Sequence, residues 1–394
     1  MSELREYVIK EIAHIIDCEH KTAPLVNDSM YLSVRTSNIS NGGIDYESCN
    51  RVSEETYRDW TKREIPTAGD IILAREAPVG EVGIIKPGYK VCLGQRTVLI
   101  RVDNPEIHNT YLLYYLVNPA NKSELIEKSG GSVVSHLNMK DIRAHSIRVP
   151  ELEKQTAIAS ILSSLDDKIN LLHRQNATLE KMAETLFRKW FVEEADEEWE
   201  YCILEDLCSQ VNSGGTPSTK IDSYYNGSIN WYSTKELNDN FLFESKSKIT
   251  YEGLNNSSAK LFPKGTVLIA IYAAPTVGRL GILGSESAFN QAACGLVANE
   301  NLSCKEFLYL YLKNQRDELN AMASGSAQQN LNVSKIKNYT AFIPDQITMD
   351  KFKLSVIPIF KKMESNTIQI GTLTSLRDTL LPKLMSGEAI VTKE

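Results

Sequence analysis

Residues 69–85 read "GDIILAREAPVGEVGII", and residues 265–283 read "GTVLIAIYAAPTVGRLGIL". Each stretch starts with a glycine, continues through a run of apolar and β-branched residues, and then contains a proline and two further glycines. Runs of this composition, bounded by proline and glycine, predict short buried strands joined by sharp turns. The shared positions are Gly69, Pro78, Gly80 and Gly83 in the first stretch and Gly265, Pro275, Gly278 and Gly281 in the second.

The similarity between the two halves extends beyond these stretches, at an offset of 193 to 198 residues. "CLGQRTVLI" at 92–100 resembles "AFNQAACGLV" at 288–297, and "YLLYYL" at 111–116 resembles "FLYLYL" at 307–312. Self-similarity at a fixed offset is typical of two copies of one structural unit. Each copy therefore predicts a compact β-rich domain, with a helix in the Leu/Tyr-rich segment at 110–117.

After Pro150 and Pro344 the hydrophobic period becomes helical, with spacings of four and three residues. This period predicts two long helices that pack against each other, antiparallel, along a coiled-coil seam. Pro358 is expected to start or kink the second helix, and Pro382 to end or bend it. The predicted seam positions are Ile158, Leu162, Leu165, Ile169, Leu172, Asn176, Leu179, Ala183, Leu186 and Trp190 in the first helix, and Phe352, Val356, Ile359, Met363, Asn366, Ile370, Leu373, Arg377, Leu380 and Leu384 in the second.

The seam contains two polar positions, Asn176 and Asn366. They either fix the register of the two helices or are tolerated interruptions. Together the patterns predict an α+β fold with two β-rich domains in tandem pseudo-repeat, separated by two long antiparallel coiled-coil helices. The predicted bounds are 1–150 for the first domain, 151–192 for the first helix, 193–344 for the second domain, and 345–394 for the second helix and C-terminal tail.

The composition is that of a soluble globular chain, with 394 residues, 42% hydrophobic and 24% charged. No apolar run approaches the ~20 residues needed to cross a bilayer, and the N-terminus has no secretory pattern, so we expect a cytoplasmic protein without a membrane partner. The seven cysteines are scattered and predict no metal site. The formal net charge of −7 arises mainly from six acids within 193–200, which leaves the remaining chain nearly neutral.

Catalytic motifs are missing from the sequence. It contains no G-x-x-x-x-G-K-[ST], no G-x-G-x-x-G after a strand and no N-P-P-[FY], and its six histidines form no H-x-x-x-H pair. Polar loops instead recur at matching places in both halves, such as "SVRTSNISNGG" and "YSTKELNDN". Their Arg, Lys, Ser, Thr and Asn side chains are suited to bases and phosphates, although such residues also form ordinary turns.

Several segments of the sequence together resemble one known protein family. "REAPVGEVGII", "CLGQRTVLIR", "HLNMKDIR", "SGGTPST", "LRDTLLPKLMSGE" and the seam helix "EKQTAIASILSSLDDKINLLHRQNATLEKMAETLFRKWF" closely resemble the specificity (S) subunits of type I restriction–modification systems, the HsdS family. The resemblance covers essentially the whole chain. It implies that the two β-rich domains are target recognition domains, each similar to the DNA-reading domain of an adenine-N6 methyltransferase.

The resemblance also implies a function and partners. The chain is expected to be non-catalytic and to recognise a split, asymmetric sequence in double-stranded DNA. It is expected to recruit two methylation (M) subunits, which use S-adenosylmethionine to methylate adenine at N6, and two restriction (R) subunits, which depend on ATP and Mg²⁺. The chain itself is expected to bind no cofactor.

The residues expected to contact DNA lie in matching loops of the two halves. Arg75 and Glu76 correspond to Ile271 and Tyr272, so a role for Arg75 is not extended to the second domain. The candidates are Arg35, Thr36, Ser37, Asn38, Arg75, Gln95, Arg96, Ser132 and His136 in the first domain, and Thr216, Ser218, Ser233, Thr234, Lys235, Gln291, Gln328 and Asn330 in the second.

Two other functions are compatible with the sequence. The chain is alternatively an orphan specificity subunit that serves methylation only, or a structural coiled-coil adaptor whose β-rich domains bind protein rather than DNA. A restriction subunit encoded beside this chain would argue against the first alternative, and a sharp preference for one bipartite DNA sequence would exclude the second.

Overall fold

The computed structural model describes residues 4–127, 136–272, 276–324 and 331–391. The chain forms two units, Met1–Lys168 with Leu373–Glu394, and Ile169–Thr372. Each unit contains one β-rich domain and one part of each long helix. The α+β class, the tandem repeat and the two long helices are therefore confirmed, whereas the domain bounds given above stay a prediction.

The first unit contains two small sheets and two antiparallel strand pairs. Its central four-stranded sheet has the order Ala13–Asp17, Thr97–Val102, Ile71–Ala74, Val82–Ile84, and is antiparallel throughout. A three-stranded sheet has the order Asn50–Val52, Tyr31–Val34, Lys90–Leu93. Two further pairs join Arg5–Val8 to Ser146–Val149 and Ile39–Ser40 to Gly43–Ile44. The short helices are Ile9–Ile12, Glu54–Trp60, Asn109–Val117, Pro119–Glu127 and Met139–Ala144, with a 3₁₀ turn at Thr36–Asn38.

The second unit repeats this arrangement. Its larger sheet has the order Cys208–Ser213, Ala293–Ala298, Val267–Ala270, Leu280–Leu283, Asn240–Leu242. Its three-stranded sheet has the order Ser247–Ile249, Tyr225–Tyr232, Ala288–Phe289, and Glu200–Ile203 pairs with Thr340–Ile343. The short helices are Tyr251–Asn255, Lys305–Asn314, Arg316–Ser324 and Val333–Lys337, with 3₁₀ turns at Leu204–Leu207, Asp222–Tyr224 and Thr234–Glu236. The helices predicted in the Leu/Tyr-rich segments are confirmed in both copies.

The glycines of the repeated stretch have the same backbone role in both units. Gly69 and Gly265 have φ of +94° and +88°, and Gly80 and Gly278 have φ of +77° and +80°. These values lie in the left-handed region, which glycine enters without the steric cost that a Cβ imposes. Since glycines at corresponding positions make the same turns, the repeat seen in the sequence is a repeat of backbone structure.

The first long helix is Leu152–Arg188 and is followed by a π-helical turn at Lys189–Glu193; the second long helix is Gln346–Ser386. Within the first unit, Arg377 of the second helix bonds Asp166 of the first, with 2.8 Å between Nη1 and Oδ1. Within the second unit, Asn366 donates to Asn176 at 2.9 Å. Phe187 of the first helix also packs against Phe352 of the second, with ring centroids 6.2 Å apart. In the second unit the contact positions therefore rise from 176 to 187 along the first helix and fall from 366 to 352 along the second, so the helices are antiparallel there.

Burial along the seam departs from the predicted heptads at three places. Phe187, Phe360 and Leu381 are buried, whereas their predicted neighbours Leu186, Ile359 and Leu380 are only half-buried. A straight helix has 3.6 residues per turn, so a strict 3.5-residue pattern drifts around it and the buried row moves to the next residue. The other buried seam positions are Ile158, Leu162, Ile169, Leu172, Asn176, Ala183, Phe352, Val356, Met363, Asn366 and Leu384; Leu165, Leu179, Trp190, Ile370, Leu373 and Arg377 are half-buried.

The expectation that Pro358 starts the second helix or that Pro382 ends it was wrong. Pro358 and Pro382 both lie inside the second long helix, which continues unbroken through them. A proline leaves the carbonyl four residues earlier without its helical partner. Those carbonyls belong to Leu354, whose side chain is 79% exposed, and to the exposed Asp378, so water can bond them. In the described parts of the chain, no helix is long and apolar enough to cross a membrane.

Candidate nucleic-acid interface

In the first unit, two parallel strands end side by side. Tyr31–Val34 pairs with Lys90–Leu93, and Val34 lies opposite Leu93. Because parallel strands end at the same edge, the loops that follow them, 35–38 and 94–96, are brought together. The amide of Gly94 donates to the carbonyl of Val34 at 2.8 Å, and a Cβ on Gly94 would lie 2.6 Å from that oxygen. Only glycine allows this close approach.

These two loops border a cleft of ≈280 Å³. Arg35, Ser37, Gln95 and Arg96 are exposed in it, and Thr36 is half-buried. Five of the nine residues expected to contact DNA in this domain therefore line one surface. The cleft also contains polar residues that the sequence analysis missed, namely Thr22, Ser33 and Asn50. Ser33 and Asn50 are opposite each other on neighbouring strands, a relation that needs the sheet order to be known.

Asn38 shapes the first loop. Its side chain is 3% exposed, and its Oδ1 accepts a hydrogen bond from the amide of Arg35 at 2.9 Å. Its Nδ2 donates to the hydroxyl of Ser48 at 2.9 Å. Both ends of the amide are therefore used within the protein, which suits a residue that holds the loop and does not suit one that contacts bases.

Arg75 lies below the cleft and is 7% exposed. Its Nε donates to the carbonyl of Leu137 at 2.8 Å, and its Nη1 donates to the carboxylate of Asp17 at 3.0 Å. Its Nη2 lies 2.9 Å from Nε2 of His136. A buried guanidinium is stable only when its donors are paired, and here they are paired within the protein. This position does not fit the expected direct contact between Arg75 and DNA.

Glu76 connects this buried group to the cleft. One of its carboxylate oxygens lies 2.6 Å from Nδ1 of His136, and the other lies 2.8 Å from Nε of Arg96. The side chain of Arg96 is 60% exposed. Arg75, His136 and Arg96, which were separate candidates, thus belong to one network of charged and polar side chains.

The second unit presents its loops in the same way. Tyr225–Tyr232 runs parallel to Ala288–Phe289, with Tyr232 opposite Phe289. The amide of Asn290 donates to the carbonyl of Tyr232 at 2.9 Å, the counterpart of the bond between Gly94 and Val34. The loops 233–236 and 290–291 therefore leave the sheet together.

A side chain accepts a hydrogen bond from a backbone amide in the turn at Thr234–Glu236, as it does in the turn at Thr36–Asn38. The amide and the hydroxyl of Ser233 both donate to the carboxylate of Glu236, each at 2.8 Å. Thr234 is 8% exposed, so Lys235 is the side chain that this turn presents to solvent. The hydroxyls of Ser233 and Thr234 are thus less available to a ligand than the sequence suggested.

Two glycines bring a further segment to this surface. The amide of Gly215 donates to the carbonyl of Phe289 at 2.9 Å, and a Cβ on Gly214 would lie 2.0 Å from the same oxygen. The chain can therefore cross the strand at this point, and the hydroxyl of Thr216 donates to the side-chain oxygen of Gln291. Ser218 follows in an exposed position. Ser132, Gln328 and Asn330, also expected to contact DNA, lie outside the described residues.

Within the described ranges, Asp17, Cys18 and His20 form the group whose ligand atoms are close enough to hold a metal ion, within 4.8 Å of one another. Asp17 is already bound to Arg75. Burial raises the pKa of the Cys18 thiol, which disfavours the thiolate that a metal would need. Burial raises the pKa of Cys49, Cys208, Cys294 and Cys304 to about 12, so these thiols are protonated near neutral pH.

The sequence is similar to known specificity subunits. It is 29% identical over 358 residues to the type I restriction enzyme MjaIX specificity subunit of Methanocaldococcus jannaschii, covering 86% of this chain and 81% of that one. It is 26% identical over 341 residues to the HindI specificity subunit of Haemophilus influenzae, covering 67% and 73%. The fold is similar to the crystal structure of a type I restriction-modification S subunit from M. genitalium, with a TM-score of 0.63, 15% identity, and coverage of 99% and 97%.

A family model described as the type I restriction modification DNA specificity domain matches residues 1–181 and 196–355. These two matches correspond to the two copies of the structural repeat, and together they include most of the chain. The chain therefore belongs to the family of type I restriction–modification DNA specificity subunits.

Proposed function

We propose that this chain is the non-catalytic subunit that reads a bipartite, asymmetric DNA sequence, with one half-site for each β-rich domain. The observation that carries the proposal is the repeated pair of parallel strand ends. In both units the same backbone hydrogen bond joins the two strand ends, between Gly94 and Val34 and between Asn290 and Tyr232. The exposed side chains on the loops differ, which is the arrangement expected of two readers with different targets.

The chemistry of the two surfaces supports different half-sites. The first presents two arginines, Arg35 and Arg96, together with Gln95. The second presents Lys235 with Thr216 and Gln291. Arginine pairs with the O6 and N7 acceptors of guanine, and glutamine pairs with the N6 and N7 of adenine, so surfaces with different donors favour different bases.

We assign the spacing between the half-sites to the two long helices. They contain 37 and 41 residues, which correspond to about 55 and 60 Å at 1.5 Å per residue. Two successive major-groove faces of B-form DNA are about 34 Å apart. Helices of this length are therefore suited to separate two readers by a helical turn or slightly more.

The outer faces of the long helices are proposed to dock two methylation (M) subunits, and through them two restriction (R) subunits. Large apolar side chains are exposed there, with Met182 51%, Leu354 79% and Ile368 48% exposed. Such residues favour contact with another protein. In the proposal, S-adenosylmethionine, ATP and Mg²⁺ are bound by these partner subunits. The M subunits also supply most of the contacts to DNA phosphates, since this chain has a net charge of −7.

The test is to express the full chain with its methylation subunit and to sequence the methylated adenines in the host DNA. One bipartite sequence with a fixed spacer is expected. A matched chimera in which residues 1–150 come from another family member should change one half-site and leave the other half-site and the spacer unchanged. Methylation without a sequence preference would contradict the proposal and favour an adaptor. Cleavage of unmethylated DNA after addition of a restriction subunit separates the complete system from an orphan.

A further inference from the structure

We propose that Arg96 reads a guanine in the first half-site and that Glu76 is the positioning residue that aims it. This inference rests on the proposed function and makes it specific, because it names the base and the residues responsible. The base contact would be made in the major groove, where guanine presents two acceptors side by side.

The position of Glu76 is set by a chain of charged and polar groups that ends in the core. Arg75 can only donate hydrogen bonds, so Nε2 of His136, 2.9 Å from its Nη2, is the acceptor. The ring proton of His136 is then on Nδ1, which lies 2.6 Å from a carboxylate oxygen of Glu76, a close electrostatic contact rather than an aligned hydrogen bond. Arg75 is itself fixed by Asp17 and by the carbonyl of Leu137. His136 and Arg75 therefore hold Glu76 from the side away from the cleft, and the second carboxylate oxygen of Glu76 faces Arg96.

The ion pair between Glu76 and Arg96 leaves Nη1 and Nη2 of Arg96 free within the described part of the chain. The carboxylate lies 2.8 Å from Nε. No hydrogen bond among the described side chains uses Nη1 or Nη2 of Arg96. A guanidinium held at Nε presents these two nitrogens end-on, as a planar fork that matches guanine O6 and N7. Arg96 also has φ of +65°, a backbone conformation that costs energy for a residue with a Cβ and is concentrated at functional sites.

The second unit shows that this network is not needed to build the domain. In the second unit Ser213 is opposite Cys294, and at the corresponding place in the first unit Asp17 is opposite Val98. Ser213 therefore stands where the first domain has Asp17. Ile271, Tyr272 and Ala292 stand where the first domain has Arg75, Glu76 and Arg96. The amide of Ile271 nevertheless donates to the carbonyl of Ala292 at 2.8 Å, as that of Arg75 donates to Arg96 at 2.8 Å. The second domain keeps this backbone contact but has uncharged residues at all four positions. This difference favours a role for the charged network in reading the first half-site.

The experiment uses the full chain in complex with its methylation subunit. The half-sites are first established for the unaltered protein. Binding is then measured for a set of DNA duplexes in which each base pair of the first half-site is substituted in turn. The variants are Arg96→Lys, which keeps the charge but loses the fork, and Glu76→Gln, which keeps the shape but loses the charge. Glu54→Gln is the matched control, because Glu54 forms an exposed ion pair with Arg58 on a helix outside the cleft.

The expected result for Arg96→Lys is a loss of discrimination at one G·C pair of the first half-site, by about 5- to 100-fold, with affinity for the best sequence changed much less. Glu76→Gln should reduce discrimination at the same G·C pair to a smaller extent. Thermal stability and recognition of the second half-site should be unchanged. Glu54→Gln should change neither half-site.

Three results would overturn the inference. The first is a first half-site without a G·C pair. The second is discrimination that survives Arg96→Lys at every position, which would make Arg96 a phosphate contact. The third is a Glu76→Gln variant that only loses stability. Absence of any bipartite preference in the unaltered complex is a different outcome, since it would contradict the proposed function itself.

Discussion

The asparagine pair in the seam gives a stability prediction that can be worked from the structure. Asn366 is fully buried, and its Nδ2 donates to Oδ1 of Asn176 at 2.9 Å. Nδ2 of Asn176 lies 3.2 Å from the hydroxyl of Thr367. Replacing one asparagine by leucine leaves a buried amide without its main partner, which costs about 1–3 kcal/mol. Replacing both removes the unpaired groups together and fills the seam with apolar surface, so the double variant should be within about 1 kcal/mol of the parent, or more stable.

Asn176→Leu, Asn366→Leu and the double variant are therefore expected to form a strongly non-additive cycle, with a coupling energy of at least about 1 kcal/mol. Equilibrium urea unfolding followed by tryptophan fluorescence is the assay, because three of the four tryptophans, Trp190, Trp199 and Trp231, belong to the unit that contains the pair.

Asn170→Leu is the control for the cycle, since Asn170 is exposed on the same helix and its replacement should shift the free energy of unfolding by less than about 0.5 kcal/mol. Additive effects of the two single replacements would refute the reasoning, because they would mean that the two amides do not depend on each other.

Three further predictions concern the helices. Phe187→Ala should lower the free energy of unfolding by about 3–5 kcal/mol in the same urea assay, because Phe187 is 2% exposed, and the half-buried Leu186→Ala should have a smaller effect. Asp345→Ala should lower the free energy of unfolding by about 1 kcal/mol, because Oδ1 of Asp345 accepts a hydrogen bond from the amide of Thr348 in the first turn of the second long helix. Hydrogen bonds with Thr348 lower the pKa of Asp345. Unfolding measured against pH should therefore show the difference between variant and parent above the ordinary pKa and lose it as pH falls through the lowered value. Inserting one heptad into each helix, within 165–179 and the facing 363–378, adds about 10 Å and should lengthen the spacer by about 3 base pairs in methylation sequencing, with both half-sites unchanged.

The frame of the fold could be predicted from the sequence because its signals are local. The glycines of the repeated stretch are required by positive φ values, and the long helices follow from a period of three and four residues. Pro358 shows where a local rule fails. The cost of a proline within a helix depends on whether the carbonyl it leaves unpaired can reach water, and that depends on which face of the helix is exposed. The one-residue shifts at Phe187 and Phe360 have a similar origin, because drift accumulates along a long helix.

The candidate site could be predicted only in part, for a physical reason. Residue type and loop position were enough to select Arg35, Gln95 and Arg96, which the structure brings to one cleft. They were not enough to separate exposed polar residues from polar residues that hold the loop, such as Asn38, or that lie buried below it, such as Arg75. Burial depends on which strands pair, and the strands that end together here are about 60 residues apart in sequence.

Asn38 and Glu236 show how the two β-rich domains can share one backbone frame and still differ in their side chains. They occupy the same place in their turns, and each side chain accepts a hydrogen bond from the amide three residues earlier. Glu236 adds a negative charge to the surface proposed to contact DNA, and this charge would repel phosphates if it were free. Its second oxygen, however, accepts from the amide of Lys246 at 2.8 Å, so both oxygens are directed to donors within the protein. The turn requires only an acceptor at this place, and the neighbouring exposed positions, Ser37 and Lys235, contribute little to the fold. Substitutions can therefore accumulate at those exposed positions without loss of stability, as the proposed change of base preference requires, whereas changes at the acceptor would first disturb the loop.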